Sequence, residues 1–119
     1  MLKQAAIFTL TAAVLISLCS CTLLVKPLDE NTHFSGQLSQ LESAIRNENW
    51  DQAYENLETS KKTWKRLKPL IQVDIDHDFV HEMEENLTKL EAYIYTEDQA
   101  DALANILLLQ ETWDDIESL

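Results

Sequence analysis

Residues 50–71, WDQAYENLETSKKTWKRLKPLI, decide the fold class of this chain. Their apolar positions alternate three and four residues apart over three heptads, with one polar member, and so lie on one face of an α-helix. These positions are Trp50, Ala53, Leu57, Ser60, Trp64, Leu67 and Ile71. Asn49 is expected to be the N-cap, with Gln52 completing a capping box. Pro69 predicts that the helix kinks there or ends near Leu67.

Three further segments have the same period. Their apolar positions are Phe34, Leu38, Leu41 and Ile45; Val80, Met83, Leu87, Leu90 and Ile94; and Ala102, Ile106, Leu109, Trp113 and Ile116. The spacing predicts a first helix capped by Thr32 or Ser35, a third over residues 76–95, and a last one that opens on a capping box at residues 96–99. Leu107 and Leu108 widen the apolar face of the last helix, which is therefore expected to be the most enclosed.

The chain is thus predicted to be all-α. One signal or anchor helix is followed by four amphipathic helices, which form two antiparallel hairpins or a small bundle because their connections are short. With one glycine in 119 residues, a β-sandwich or barrel would lack its turns. Residues 49–53 and 96–100 resemble each other at an offset of 47, but capping preferences alone explain this similarity, and no repeat is assigned.

The charge is strongly acidic and unevenly distributed. The chain has 21 Asp and Glu against 9 Lys and Arg, which argues against nucleic acid as a partner. Residues 74–119 carry fourteen acids and one base, whereas five bases cluster at residues 61–68. These bases either offset the acidic helices of the same fold or contact anionic lipid headgroups. Offsetting within the fold is the simpler interpretation.

The amino-terminal segment predicts export. Residues 5–25 are uncharged between Lys3 and Lys26, long enough for a bilayer-spanning helix and also typical of a secretory signal. Residues 18–21, LCSC, resemble a bacterial lipobox, in which Cys21 would carry a thioether-linked diacylglycerol. The alternatives are an uncleaved anchor helix and a released or cytosolic protein. The predicted organisation is a signal or anchor over residues 1–21, a tether over 22–31 and a helical domain over 32–119.

The densest polar cluster surrounds His77 and His81. These two histidines and Glu85 are spaced one helical turn apart, but zinc needs three or four converging ligands, and the segment lacks the second histidine of H-E-x-x-H. The simpler interpretation is a helix start with a solvated face, so no metal site is assigned. No cysteine follows Cys21 and no glycine-rich loop is present, so the sequence predicts a protein that is not an enzyme and has no cofactor. The three tryptophans fall on the apolar stripes and are expected in the core.

In the order of these features, the chain resembles the domain-of-unknown-function family 4363. The resemblance rests on a hydrophobic start, Trp50, residues 64–67 (WKRL), His77-Asp78 and a leucine-rich last helix. It implies a short protein, mostly from Firmicutes, with one amino-terminal hydrophobic segment, often a single-pass anchor, and no assigned activity or catalytic residue.

The expected function is a non-enzymatic interaction or accessory role at the extracytoplasmic face of the cell membrane. The amino terminus would contact the membrane, and a leftover apolar face on the second or last predicted helix would contact another envelope protein. The alternative is a divalent-cation-binding or sensing envelope protein that uses His77, His81 and neighbouring acids.

Overall fold

The computed structural model describes residues 25–119, with side chains from Leu28 onward. Over this range the protein forms five helices and no strand: α1 Val25–Thr32, α2 Phe34–Arg46, α3 Trp50–Ile71, α4 His77–Tyr95 and α5 Gln99–Ser118. The all-α prediction is confirmed, and α2 to α5 are the four predicted amphipathic helices. The predicted signal or anchor and Cys21 lie outside the described residues. Within residues 25–119, no helix is both long enough and apolar enough to cross a membrane.

Helices α2 to α5 form an antiparallel four-helix bundle. We call α2 and α3 the first hairpin, and α4 and α5 the second hairpin. The hairpins meet where α2 packs on α5 and where α3 packs on α4. Phe34, at the start of α2, contacts both Trp64 and Trp113, at ring-centroid distances of 6.2 and 4.8 Å. The end of α3, the end of α5 and the start of α2 therefore lie at the same end of the bundle.

The core is built from the stripes that the sequence predicted. Trp64 and Trp113 are buried as expected, and Trp50 packs partly buried at the edge. The largest fully buried side chains are Trp113, Phe34, Leu38, Leu41, Ile45, Leu57, Leu67, Met83, Leu90, Ile106, Leu109 and Ile116. Burying each of these apolar side chains contributes roughly 1.5–3 kcal/mol, which offsets the entropy of ordering the chain.

The two hairpins are structural copies at an offset of 49 residues. After α2, the Asn49 N–H donates to the Ala44 carbonyl at 2.9 Å, and after α4, the Asp98 N–H donates to the Tyr93 carbonyl at 2.9 Å. Both turns are Schellman motifs, and each places a glutamate in the left-handed region, Glu48 at φ 52° and Glu97 at φ 56°. The offset of 47 therefore does not match the structure.

Aligned at this offset, residues 34–70 and 83–119 are identical at ten of 37 positions. The identical pairs are Leu38/Leu87, Leu41/Leu90, Glu42/Glu91, Ile45/Ile94, Glu48/Glu97, Ala53/Ala102, Asn56/Asn105, Thr63/Thr112, Trp64/Trp113 and Leu70/Leu119. Contacts between the hairpins are reciprocal, since Lys61 reaches Glu91 at 2.9 Å and its equivalent Gln110 reaches Glu42 at 3.0 Å. The bundle is therefore a pseudo-twofold dimer of hairpins, with its axis along the helices.

The amino-terminal part of the repeat differs between the hairpins. Residues 25–32, most of which were expected to be tether, form α1, and Leu28 packs against the core. His33 then interrupts the helix at φ 54°. Asp29 caps α2 by accepting from the Ser35 N–H at 2.8 Å and the Ser35 hydroxyl at 2.6 Å. The predicted N-caps, Thr32 and Ser35, are thus wrong, because a carboxylate six residues upstream takes this role.

The predicted caps of α3 and α5 are partly confirmed. Asn49 accepts from the Gln52 N–H at 3.3 Å as expected, but the Gln52 side chain bonds Asn56 at 3.0 Å, so no capping box closes. The N-cap of α5 is Asp98, which accepts from the Asp101 N–H at 3.2 Å. The capping box predicted at residues 96–99 is wrong, because Thr96 is the C-cap of α4.

The prediction for the end of α3 is also partly wrong. The helix does not stop near Leu67 but continues two residues beyond Pro69, to Ile71. Proline removes one backbone donor, yet the helical pattern is kept at its end, where the Gln72 N–H donates to the Lys68 carbonyl at 3.0 Å. Burial of Ile71 in the core accompanies this extension.

Candidate interaction surfaces

Two equivalent grooves run where the hairpins meet. The α3–α4 groove has a volume of about 540 Å³ and is lined by Glu58, Lys61, Lys62, Trp64, Lys65, Glu84, Leu87 and Thr88. The α2–α5 groove has a volume of about 240 Å³ and is lined by Ser35, Leu38, Ser39, Glu42, Gln110, Trp113 and Asp114. A tryptophan and a leucine occupy equivalent positions in both grooves, while the charged groups around them differ.

Two lysines of α3 form ion pairs with glutamates of the same bundle. Lys61 bonds Glu91 at 2.9 Å and lies 3.4 Å from Glu58, and Lys68 pairs with Glu84. The hydrogen bond from Glu91 raises the pKa of Lys61 above its usual range, against the opposing effect of partial burial. For these two lysines, the expectation that the basic cluster offsets the acidic helices of the same fold agrees with the structure.

The other three bases of the cluster point to solvent. Lys62, Lys65 and Arg66 are exposed, and none of them makes an ion pair within residues 25–119. They belong to a solvent-facing line that we call the α3 outer stripe: Glu55, Glu58, Thr59, Lys62, Lys65 and Arg66. Its second half is therefore positively charged and unneutralised by its own fold.

The α2–α5 groove carries the opposite charge. Glu42 accepts from Arg46 at 2.7 Å and from Gln110 at 3.0 Å. These two hydrogen bonds, that from Arg46 first, lower the pKa of Glu42 below its ordinary value. Asp114 stands at the rim of this groove, in the position that Lys65 occupies in the other.

Helix α5 leaves an apolar pair in solvent. Leu107 and Leu108 are 46 % and 47 % exposed, so they do not widen the buried face of α5 as the sequence predicted. Residues 106–109 are four consecutive apolar residues and therefore point in different directions around the axis of α5. The other helices bury only Ile106 and Leu109. We call the solvent-facing line here the α5 outer stripe: Ala104, Leu107, Leu108, Glu111, Asp114 and Asp115.

The charges of the two outer stripes are inverted over their second halves. At the offset of 49, the inverted pairs are Lys62/Glu111, Lys65/Asp114 and Arg66/Asp115. The burial classes of both segments coincide, so the same surface positions carry opposite charge on opposite sides of the bundle. The sequence interpretation missed this relationship, although aligning the sequence with itself at the correct offset shows it.

The histidine-rich start of α4 does not converge on one point. His77 and His81 are exposed, and Glu85, the proposed third ligand, pairs with Lys89 at 2.7 Å. The Lys89 ammonium lowers the pKa of the Glu85 carboxyl, which favours its charged, paired form. Over residues 25–119 no three His, Cys, Asp or Glu side chains are grouped so as to hold a metal ion.

Comparison with known families shows the family of the chain. A family model described as "Domain of unknown function (DUF4363)" matches residues 25–119, which is most of the chain and all of its described part. The chain belongs to this family. Comparisons with curated proteins and with solved structures gave no significant match.

Proposed function

We propose that this member of the DUF4363 family is a non-enzymatic interaction module of the bacterial cell envelope. Its amino-terminal segment, residues 1–24, would hold it at the extracytoplasmic face of the cytoplasmic membrane, either through a lipid on Cys21 or as an anchor helix. The uncharged run at residues 5–25 between two lysines supports this placement. The helical bundle would then present its outer stripes to proteins at the membrane surface.

The exposed pair Leu107 and Leu108 carries the proposal. Single exposed leucines are ordinary, but here two adjacent ones stand on a helix whose next exposed turn is acidic. A helical surface of this kind fits a partner that offers apolar contact beside basic side chains. The contact would use the α5 outer stripe, on the last of the four amphipathic helices.

The use of polar groups in the bundle supports binding rather than catalysis. Asn49, Asp98 and Asp29 cap helices, and Glu42, Lys61 and Glu85 are engaged in hydrogen-bonded pairs. Such groups stabilise the fold and are not directed together into one cleft. The surface that stays free for a partner is the exposed face of each hairpin.

Site-specific photocrosslinking in the native membrane tests the contact. A photoreactive residue replacing Leu108 in the full-length protein is expected to give a protein adduct upon irradiation. The same residue replacing Ala92, exposed on α4, is the matched control and should give much less. The proposal fails if Leu108 yields no protein adduct above the Ala92 control.

Intact-mass measurement of the protein extracted from its native membrane tests the tether. A mature protein that begins at Cys21 with added diacylglycerol supports a lipid anchor, and a membrane-extracted protein that still begins at Met1 supports an anchor helix. An unmodified protein found in the soluble fraction would contradict the membrane placement.

A further inference from the structure

We propose that the α5 outer stripe binds the α3 outer stripe of a second copy of this protein. Copies would then associate side by side, each offering its basic face to the acidic face of the next. This inference rests on the proposed function and names the partner of the same surface.

The inverted charges make the two stripes complementary. Lys62, Lys65 and Arg66 of one copy match Glu111, Asp114 and Asp115 of the next, residue for residue along the stripe. These three bases make no ion pair within residues 25–119 of their own copy, so pairing with a neighbour breaks no existing bridge. Leu107 and Leu108 would lie against Thr59, whose methyl group offers apolar contact, and against Glu58, whose carboxylate stays beside Lys61 at 3.4 Å.

Charge also opposes a parallel symmetric pairing. Two copies that met in parallel through their α5 outer stripes would bury both leucine pairs, but Glu111, Asp114 and Asp115 would face their own counterparts. Like charges placed opposite each other oppose such a contact. The α3 outer stripe is basic at the very positions where the α5 outer stripe is acidic, so the favoured interface is heterologous.

The pseudo-twofold axis makes this association compatible with one membrane. The axis runs along the bundle, so equivalent positions lie at the same height, as the contacts of Phe34 with both Trp64 and Trp113 show. Moving a copy sideways therefore brings its α5 outer stripe level with the α3 outer stripe of its neighbour. Both copies then direct α1 toward the same side, as attachment of both to one membrane requires.

The expected association is weak in dilute solution and sensitive to salt. Exposed ion pairs contribute little each, because water and counterions compete with them. Confinement of the copies to a membrane raises their effective concentration and favours the contact. At about 1 M salt the Debye length is only about 3 Å, so the association should be lost.

Carbodiimide crosslinking tests the pairing directly. Equal amounts of full-length protein, isotopically light and heavy, are reconstituted together in liposomes and treated with the reagent, which joins an amine to a carboxylate in contact. Mixed light–heavy peptides that link Lys62 or Lys65 to Glu111, Asp114 or Asp115 are expected. Within one copy these residues lie on opposite faces of the bundle, so such links report two copies.

Charge reversal gives the decisive comparison. The all-acidic variant carries Lys62→Glu and Lys65→Glu, and the all-basic variant carries Glu111→Lys and Asp114→Lys. Association in liposomes, measured by energy transfer between labelled proteins, should weaken about tenfold or more for either variant alone. Mixing the two variants should restore it, because the second halves of both stripes are mainly acidic in one variant and mainly basic in the other.

A matched control changes the same amount of charge elsewhere. The control variant carries Glu82→Lys and Glu97→Lys, both exposed and outside the stripes, and should associate as the parent does. Circular dichroism of all three variants should match the parent, which excludes unfolding as the cause of any loss.

The outcomes separate this inference from the proposed function. Absence of mixed-isotope links, or equal association of the parent and the two charge-reversed variants, overturns the pairing of two copies. If Leu108 still crosslinks to another protein in that case, the interaction module stands and only its partner is wrong. If the parent binds anionic liposomes and the all-acidic variant does not, but self-association is unchanged, the α3 outer stripe contacts lipid and the inference fails.

Discussion

The first and second hairpins share a backbone and a core, yet their outer helices carry opposite charge. Most equivalent core positions hold the same or similar residues, such as Trp64 and Trp113, while Lys65 and Asp114 occupy one equivalent surface position. Packing constrains the buried positions of both hairpins, because even small volume changes are costly in a dense core. The surface is free of that constraint, and there the two hairpins differ in a way that favours recognition between copies.

The packing around the two grooves also differs between the hairpins. Phe34 stands closer to Trp113 than to Trp64, and the α2–α5 groove beside Trp113 is less than half the volume of the α3–α4 groove. A buried Asn105 amide donates to Asn86 at 3.2 Å in the second hairpin, whereas the equivalent Asn56 bonds an exposed glutamine. Approximate symmetry of the fold therefore coexists with unequal packing.

The largest expected effect comes from truncating the two tryptophans. Trp113→Ala should lower the free energy of unfolding by about 3–5 kcal/mol, since it leaves a cavity against Phe34 beside the narrower groove. Trp64→Ala should cost less, because the wider α3–α4 groove lets water and neighbouring side chains fill the space. Urea denaturation of both variants checks the order, and equal losses would show that the two grooves are energetically equivalent.

The buried amide pair should give the next effect. Asn86→Ala leaves Asn105 buried without its acceptor and should destabilise the protein by about 1–3 kcal/mol. Asn56→Ala, at the position equivalent to Asn105, should cost much less, because Asn56 reaches the surface. Removal of Asn86 and Asn105 together should cost less than the sum of the single changes, and strict additivity of their unfolding energies would argue against a direct bond.

Glycine substitution should stabilise the two interhelical turns to the same extent. Glu48→Gly and Glu97→Gly should each raise the free energy of unfolding by about 0.5–1 kcal/mol, since glycine accepts the left-handed conformation without the strain of a Cβ atom. Thermal unfolding of the two variants measures this. An increase in stability at one turn and a decrease at the other would show that the two turns are not equivalent, although their backbone geometry is the same.

The smallest effect is a dependence of stability on pH. Glu42 has a lowered pKa in the fold, so its contribution is present above its ordinary pKa of 4.5 and is lost as pH falls through the folded value. Lys61 has a raised pKa, so its contribution is present below 10.5 and is lost as pH rises through the folded value. Glu42→Gln should flatten the acidic limb of a stability–pH curve, and Lys61→Met the alkaline limb. Unchanged limbs would show that these bonds do not contribute.

Much of the fold could be predicted because amphipathic helices have a local sequence pattern. The spacing of Leu38, Leu41 and Ile45 and the cap at Asn49 need no distant partner to be recognised. Caps that depend on another element were missed, as Asp29 at the start of α2 shows, because a carboxylate six residues away has no fixed local pattern. The offset of 49 was also present in the sequence, but short similarity between helix starts hid it.

The surfaces could be predicted only in part. The basic cluster at residues 61–68 was evident, yet its division into paired Lys61 and Lys68 and free Lys62, Lys65 and Arg66 depends on where α4 lies. Likewise, the three-and-four period assigns Leu107 and Leu108 to a hydrophobic helix without saying that no neighbour covers them.

By itself, the sequence determined the helices, their apolar faces and the acidic character of the second hairpin, because these follow from periodicity and composition along the chain. Only the tertiary structure decided that α2 meets α5 and α3 meets α4, which groove is wider and which charges stay in solvent. These features arise from the distances between residues far apart in sequence, and local spacing carries no record of them.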